Sequence, residues 1–184
     1  MITYKDLISE ITLKSNPFEF NIGNHMWTEF ENEIKIKLPD DYKNFINLYG
    51  TGRLAELIWV LNPFAAKERF NLISFLNNKK NAYNYLEKEY ELKIPFSLFS
   101  NGEGILPFAF TDNGDTIYWN IKSLKIKEST IVLIDSRDSL FEEYSYEFAE
   151  FLFKILNGLL NSSILNDEDI KSKDFVPLKT DNYK

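Results

Sequence analysis

The stretch ILPFAFTDNGDTIYWN, residues 105–120, constrains this chain more than any other. Two apolar runs flank Asp112-Asn113-Gly114-Asp115, the local pattern of a β-hairpin. Asn and Gly both tolerate positive φ, and Gly does so without steric cost, so Asn113-Gly114 predicts a tight turn between paired strands. On the first arm Ile105, Pro107 and Ala109 alternate with Leu106, Phe108 and Phe110. Both sets are apolar, which places that arm in a covered part of a sheet. Pro107 has no N–H to give to a ladder, and this favours a strand start or an edge. On the return arm Ile117, Trp119 and Ile121 alternate with Thr116, Tyr118 and Asn120.

Helical spacing brackets the hairpin. Tyr4, Leu7, Ile8 and Ile11 predict a short amphipathic helix ahead of Ser15-Asn16-Pro17, and Trp27, Phe30 and Ile34 predict a second over about residues 24–34. Pro39 opens a third, where its preset φ and the charges of Asp40 and Asp41 suit orphan amides and the helix dipole. Tyr42, Phe45, Ile46 and Tyr49 form that helix's apolar stripe, and Gly50 supplies a left-handed end. LAELIWVL, residues 54–61, reads as a buried strand in its second half, with helix as the competing reading. Residues 68–91 carry a long helical pattern that Asn77-Asn78-Lys79-Lys80-Asn81 would loosen in the middle. TIVLID, residues 130–135, reads as an inner strand, and residues 140–144 as a shorter one. A last helix starts near Ser145 as N-cap, with Phe148, Phe151, Leu152, Ile155 and Leu159 on its apolar face. After Asn161 the chain turns polar, so the division is a domain over residues 1–160 and a partly extended or docked tail over 161–184. Phe175, Val176 and Leu178 are the anchors the tail offers.

Composition removes several functions. A net charge of -7 lacks the basic footprint that nucleic acid or an anionic membrane requires. With no cysteine there is no disulfide, no thiolate metal site and no cysteine nucleophile, and with a single histidine a zinc centre would rest almost wholly on carboxylates. His25, in Asn-His-Met-Trp and without a serine elbow elsewhere, reads as structural rather than as the base of a triad. No cofactor motif is complete: Gly50-Thr51-Gly52 and Gly102-Glu103-Gly104 lack the remaining elements of a phosphate loop and read as chain reversals. Asp112, Asn113 and Asp115 crowd oxygens around a glycine but lack the spacing and distant glutamate of a calcium loop, so they read as turn formers. The N-terminus mixes charges with its apolar residues, unlike a signal peptide, and no apolar run is long enough to span a bilayer. A cytoplasmic location is the resulting expectation.

The order of these elements carries a resemblance. LPDDYKNFINLYGTG, LIWVLNP, a long helix, the hairpin, IVLID and SYEFAEFLFKIL follow one another as in the SUKH superfamily, the yeast Smi/Knr-type cell-wall-assembly-regulator family. Leu38-Pro39-x-x-Tyr42-x-x-Phe45 resembles that family's opening helix, Pro107-Phe108-Ala109 with the turn its central hairpin, and Ser145-x-x-Phe148-x-x-Phe151-Leu152 its closing helix. The resemblance implies a single α+β domain with a central, largely antiparallel sheet flanked by helices, and a binding protein rather than an enzyme. Bacterial members are largely immunity proteins of polymorphic toxin systems, which implies a cognate protein toxin, often a nuclease, as partner. An inhibitor of net charge -7 suits a basic cleft, and Glu103, Asp112, Asp115, Asp138, Glu142 and Glu143 are the candidate contacts. Two alternatives remain open: a regulatory or scaffolding domain of the same fold, and a carboxylate-based hydrolase with two acids facing each other across a cleft.

Overall fold

The hairpin lies at the centre of one sheet. In the computed structural model, which describes residues 2–15, 22–91, 95–122, 130–137 and 140–178, eight strands pair in the order β1-β8-β2-β3-β4-β5-β6-β7. They are β1 (Thr12–Leu13), β2 (Gly52–Leu54), β3 (Ile58–Val60), β4 (Ile105–Thr111), β5 (Thr116–Asn120), β6 (Ile131–Ile134), β7 (Phe141–Tyr144) and β8 (Asp174–Pro177). Every pairing is antiparallel except β1 with β8. The described helices are α1 (Tyr4–Glu10), α2 (Asn24–Ile34), α3 (Asp40–Tyr49), α4 (Leu72–Tyr90) and α5 (Phe148–Leu156). The fold is α+β. None of these helices is long and apolar enough to cross a membrane.

The hairpin forms, with two departures from the local reading. Only Gly114 takes positive φ, at 98°, and Asn113 does not. The Gly114 N–H donates to Thr111 O and the Thr111 N–H to Asp115 O, so the loop is a type I turn closed by a left-handed glycine rather than a two-residue Asn-Gly turn. The second departure is at Pro107, which lies third in β4 instead of at its start; its register partner is Tyr118 of β5, and the ladder to β3 takes in Ala109 to Thr111. A bulge accommodates it: Pro107 faces Tyr118 and Ala109 faces Ile117, which leaves Phe108 as the extra residue. The bulge also changes which residues share a face. Phe108 stacks on Trp119 at 4.6 Å on one side of the sheet, whereas Phe110 is turned to the other, 5.1 Å from Phe75 of α4.

That phase change lets β4 serve two cores. On one side Phe108, Ile117 and Trp119 meet α3 and α5 through Tyr42, Phe148 and Phe151. On the other, α4 covers Trp59, Phe70 and Phe110, while Phe96 and Leu98 cover Ile105, Tyr118, Val132 and Ile134. All seven residues of β4 are buried as a result.

Helix limits follow from capping. Over α2 and α3 the apolar stripes are buried as their spacing requires, and Gly50 ends α3 at φ 66°. α4 starts at Leu72, later than its periodicity suggests, because the Asn71 side chain accepts from the Ile73 and Ser74 N–H groups. It runs unbroken through Asn77–Asn81. α5 starts at Phe148 and Ser145 does not cap it; Asp41 of α3 accepts from the Ala149 N–H at 2.8 Å in its place. Since α5 ends at Leu156, Leu159 leaves the apolar face and is exposed.

The segment after Asn161 contributes β8, inserted between β1 and β2, with Phe175 fully buried against Phe45 and Tyr49. Val176 is exposed and Leu178 packs partly on the core. Gly52 of β2 makes this insertion possible, since a Cβ there would meet the Phe175 ring at 2.5 Å and the Val176 carbonyl at 2.6 Å. Gly52→Ala is expected to destabilise the fold by about 1–3 kcal/mol, the usual cost of overpacking, as measured by the urea midpoint.

Candidate functional site

The six acidic residues expected to contact a partner have separate situations. Asp112, at the hairpin tip, accepts from the Trp59 indole N–H at 2.7 Å and pairs with Arg53 at 3.1 Å. Asp115 is only 5 % exposed, and its carboxylate accepts from the Thr111 hydroxyl at 2.7 Å and the Ser136 N–H at 3.0 Å. The tip and the loop after Asp135 therefore approach each other. Asp138 lies outside the described residues. Glu142 binds the Ser162 hydroxyl, the Ser163 N–H and the Ser163 hydroxyl at 2.6–2.7 Å, which fastens the chain beyond α5 to β7. Glu143 points to the opposite side of β7 and is exposed. Glu103 is exposed too, but it precedes β4 at the end away from the tip, about 20 Å off at some 3.3 Å per strand residue. Among the described residues neither Glu103 nor Glu143 has a side-chain partner. His25 is exposed on α2, and no group of three metal-ligating side chains occurs among the described residues.

A cavity that the sequence did not disclose lies where α1, α3 and α5 begin. It measures about 770 Å³, and its walls include Tyr4, Pro39, Asp41, Trp119, Glu147 and Phe148. Asp41 was legible only as a favourable charge in the first turn of α3. In the fold it does more, accepting from the Tyr42 N–H at 2.9 Å and the Ala149 N–H at 2.8 Å, and so it ties the starts of two helices together. Burial pushes its pKa above the ordinary carboxylate value, and the nearby Glu147 carboxylate pushes the same way, against the two backbone N–H groups. The Tyr4 hydroxyl is pushed up to about 12 by burial, with Tyr49 and Asp41 adding to the rise. Trp119 is 1 % exposed, and its buried indole N–H has no acceptor among the described residues.

Lysines at the cavity's rim are already committed. Glu31, buried at the end of α2, accepts from Lys37 at 2.7 Å, Lys43 at 3.1 Å and the Leu38 N–H at 3.0 Å, and Lys43 also pairs with Asp40 at 2.9 Å. Two lysines thus offset Glu31 and Asp40. Asp41 and Glu147 are left without a cation among the described residues. Both line the cavity, but both oxygens of Asp41 are taken up by backbone N–H groups at helix starts, a capping role and not that of a hydrolase acid.

The SUKH_6 family, described as SMI1-KNR4 cell-wall, has a sequence profile that matches residues 24–152, from the first residue of α2 into α5. Neither the curated proteins nor the solved structures gave a match.

The bonds around Glu142 predict a pH dependence. Burial alone would raise its pKa, but the bonds from Ser162, Tyr144 and Ser163 outweigh it and hold the folded value below 4.5. Its contribution to stability is therefore complete well above pH 4.5 and is lost as pH falls through the lowered folded value. Glu142→Gln should be less stable than the parent at pH 7, and the difference should narrow as pH is taken progressively below 4.5 in parallel urea titrations.

Proposed function

This chain belongs to the SMI1-KNR4 (SUKH) family, and we propose that it is a non-catalytic protein-binding module that neutralises a cognate toxin, in the manner of an immunity protein. The family match carries the reading, and the charge agrees with it. A net charge of -7 steers the protein toward a basic surface such as the phosphate-binding cleft of a nuclease, and a stoichiometric blocker needs no catalytic group. The complex would bury about 800 Å² on each partner.

Within the expected acidic set the division of labour is physical. Glu143 and Glu103 offer charge at the surface, whereas Asp112 is paired with Arg53. Asp115 and Glu142 hold the loops that flank them, through Ser136 and through Ser162 and Ser163. A rim charge mainly governs the rate of encounter.

The test is co-expression with any toxin-like protein found to be encoded beside it. A one-to-one complex on size-exclusion chromatography and protection of the host cell are the expected results. Glu143→Lys should then slow association several-fold and flatten its salt dependence in stopped-flow measurements, with dissociation little changed. Absence of both complex and protection overturns the reading. Several weaker partners recovered from native cells would instead assign a regulatory or scaffolding domain of the same fold.

A further inference from the structure

We propose that β7 is an open sheet edge to which an extended segment of the protein partner adds as a further antiparallel strand, with a basic residue opposite Glu143 and an aliphatic residue opposite Phe141. The inference rests on the binding-module reading and names the contact that module makes.

The backbone of β7 is in phase for it. β7 ends the sheet, and among the described residues no strand lies on its outer side. The Asp135 N–H donates to Leu140 O at 3.1 Å, and the register continues from there, with Leu133 opposite Glu142 and Ile131 opposite Tyr144. Residues of an antiparallel ladder alternate between bonding to one neighbour and to the other. Leu140, Glu142 and Tyr144 therefore bond to β6, while Phe141 and Glu143 aim their N–H and C=O groups outward. The far side of β6 has the matching phase, because the Asn120 N–H donates to Thr130 O at 2.9 Å and so assigns Thr130, Val132 and Ile134 to β5. Two donors and two acceptors stand ready for another strand.

The opposite edge of the sheet is blunted and this one is not. β1 is two residues long and is followed by Lys14, which pairs with Asp174 at 3.1 Å. Short length and an edge lysine both discourage strand addition. β7 runs for four residues in unbroken register without Pro or Lys.

The side chains specify the occupant. Phe141 lies opposite Ile134 and Glu143 opposite Val132, so the two outward residues share the face covered by Phe96 and Leu98. The Phe141 ring meets Phe96 edge-on at 5.1 Å and is still 47 % exposed. Glu143 is exposed and has no cation among the described residues. Directly opposed side chains on neighbouring strands interact, so a basic residue against Glu143 and an aliphatic one two positions on, against Phe141, complement this edge in charge and in apolar surface. The same charges disfavour a second copy. A twofold pair joining Phe141 of each copy to Glu143 of the other is centred on Glu142 and sets that carboxylate opposite its counterpart, between chains of net charge -7.

The probe is acetyl-Thr-Arg-Thr-Val-Thr-amide, titrated into the full chain while amide hydrogen exchange is followed by NMR. In the free chain the Phe141 and Glu143 amides should exchange faster than those of Glu142 and Tyr144, and the peptide should slow both about tenfold or more at saturation. N-methylation of the peptide's Arg removes a donor to β7 and should abolish the effect, whereas N-methylation of its central Thr, whose N–H points away, should preserve it. Glu in place of the peptide's Arg, or Glu143→Gln in the protein, should weaken binding about fivefold or more, with the urea midpoint of Glu143→Gln unchanged. Amides of Phe141 and Glu143 already protected in the dilute free chain, no response to the peptide, or equal loss with both N-methylated peptides overturns the proposal. Protection that grows with protein concentration alone would assign the edge to a second copy and overturn it as well. A toxin complex in which these two amides stay unprotected would remove this contact and leave the proposed function standing, while absence of any toxin leaves the peptide result in place.

Discussion

Tyr42 is the point on which the arrangement turns. Fully buried, it donates its hydroxyl to Leu61 O at 2.6 Å, just beyond β3, and so satisfies a polar group that would otherwise be costly in the core. Its ring meets Trp27 of α2, Trp119 of β5 and Phe148 of α5 edge-on, at 6.0, 4.8 and 5.4 Å. One side chain thus fixes α3 against the sheet and against two other helices. With α3 held, Asp41 is carried to the start of α5, where local sequence provides no side-chain cap. The cavity follows from that docking, because the same contact that ties α3 to α5 leaves a space in front of their first turns.

A second constraint is how the buried acids are satisfied. Glu31 receives three donors and stays ionised, its pKa held below the ordinary value even though burial works the other way. Asp41 receives two neutral donors and no cation, and its pKa is raised. The contrast is between a buried carboxylate neutralised by cations and one satisfied by backbone donors alone. Glu31 closes the connection between α2 and α3 by holding Lys37, Leu38 and Lys43 together. Asp41 closes a helix start and still faces a cavity.

What could be read from the sequence was what adjacent residues decide. The stripes of α2 and α3 and the glycine end of α3 follow from spacing within a dozen residues and formed as that spacing requires, and the hairpin formed too, with a different turn and a bulge. The start of α5 did not, because its cap comes from a residue 108 positions away. The bulge at Phe108 depends on which partners β4 meets on its two sides, and no local rule announces that Phe110 will change face. β2 was illegible for a different reason. Its turn into β3 places Ala55 and Glu56 at φ 56° and 57°, a conformation normally signalled by Asn or Gly. Pairing of β2 with both β3 and β8 imposes it.

The same distinction applies to the charges. Composition showed an excess of acid but could not show which acids were neutralised, since Arg53 reaches Asp112 across 59 residues and Asp115 bonds to Ser136 across 21. Net charge acts over distances of roughly a Debye length, about 8 Å at physiological salt, and is indifferent to which carboxylate supplies it. Glu103 and the hairpin tip lie farther apart than that, so they add to the field without forming one site. Selectivity at contact depends instead on carboxylates held in fixed positions with their charge unmatched. Asp41 is held in position because both its oxygens accept from N–H groups at helix starts, whereas Glu147 is exposed at the residue from which α5 departs and its side chain makes no cap bond.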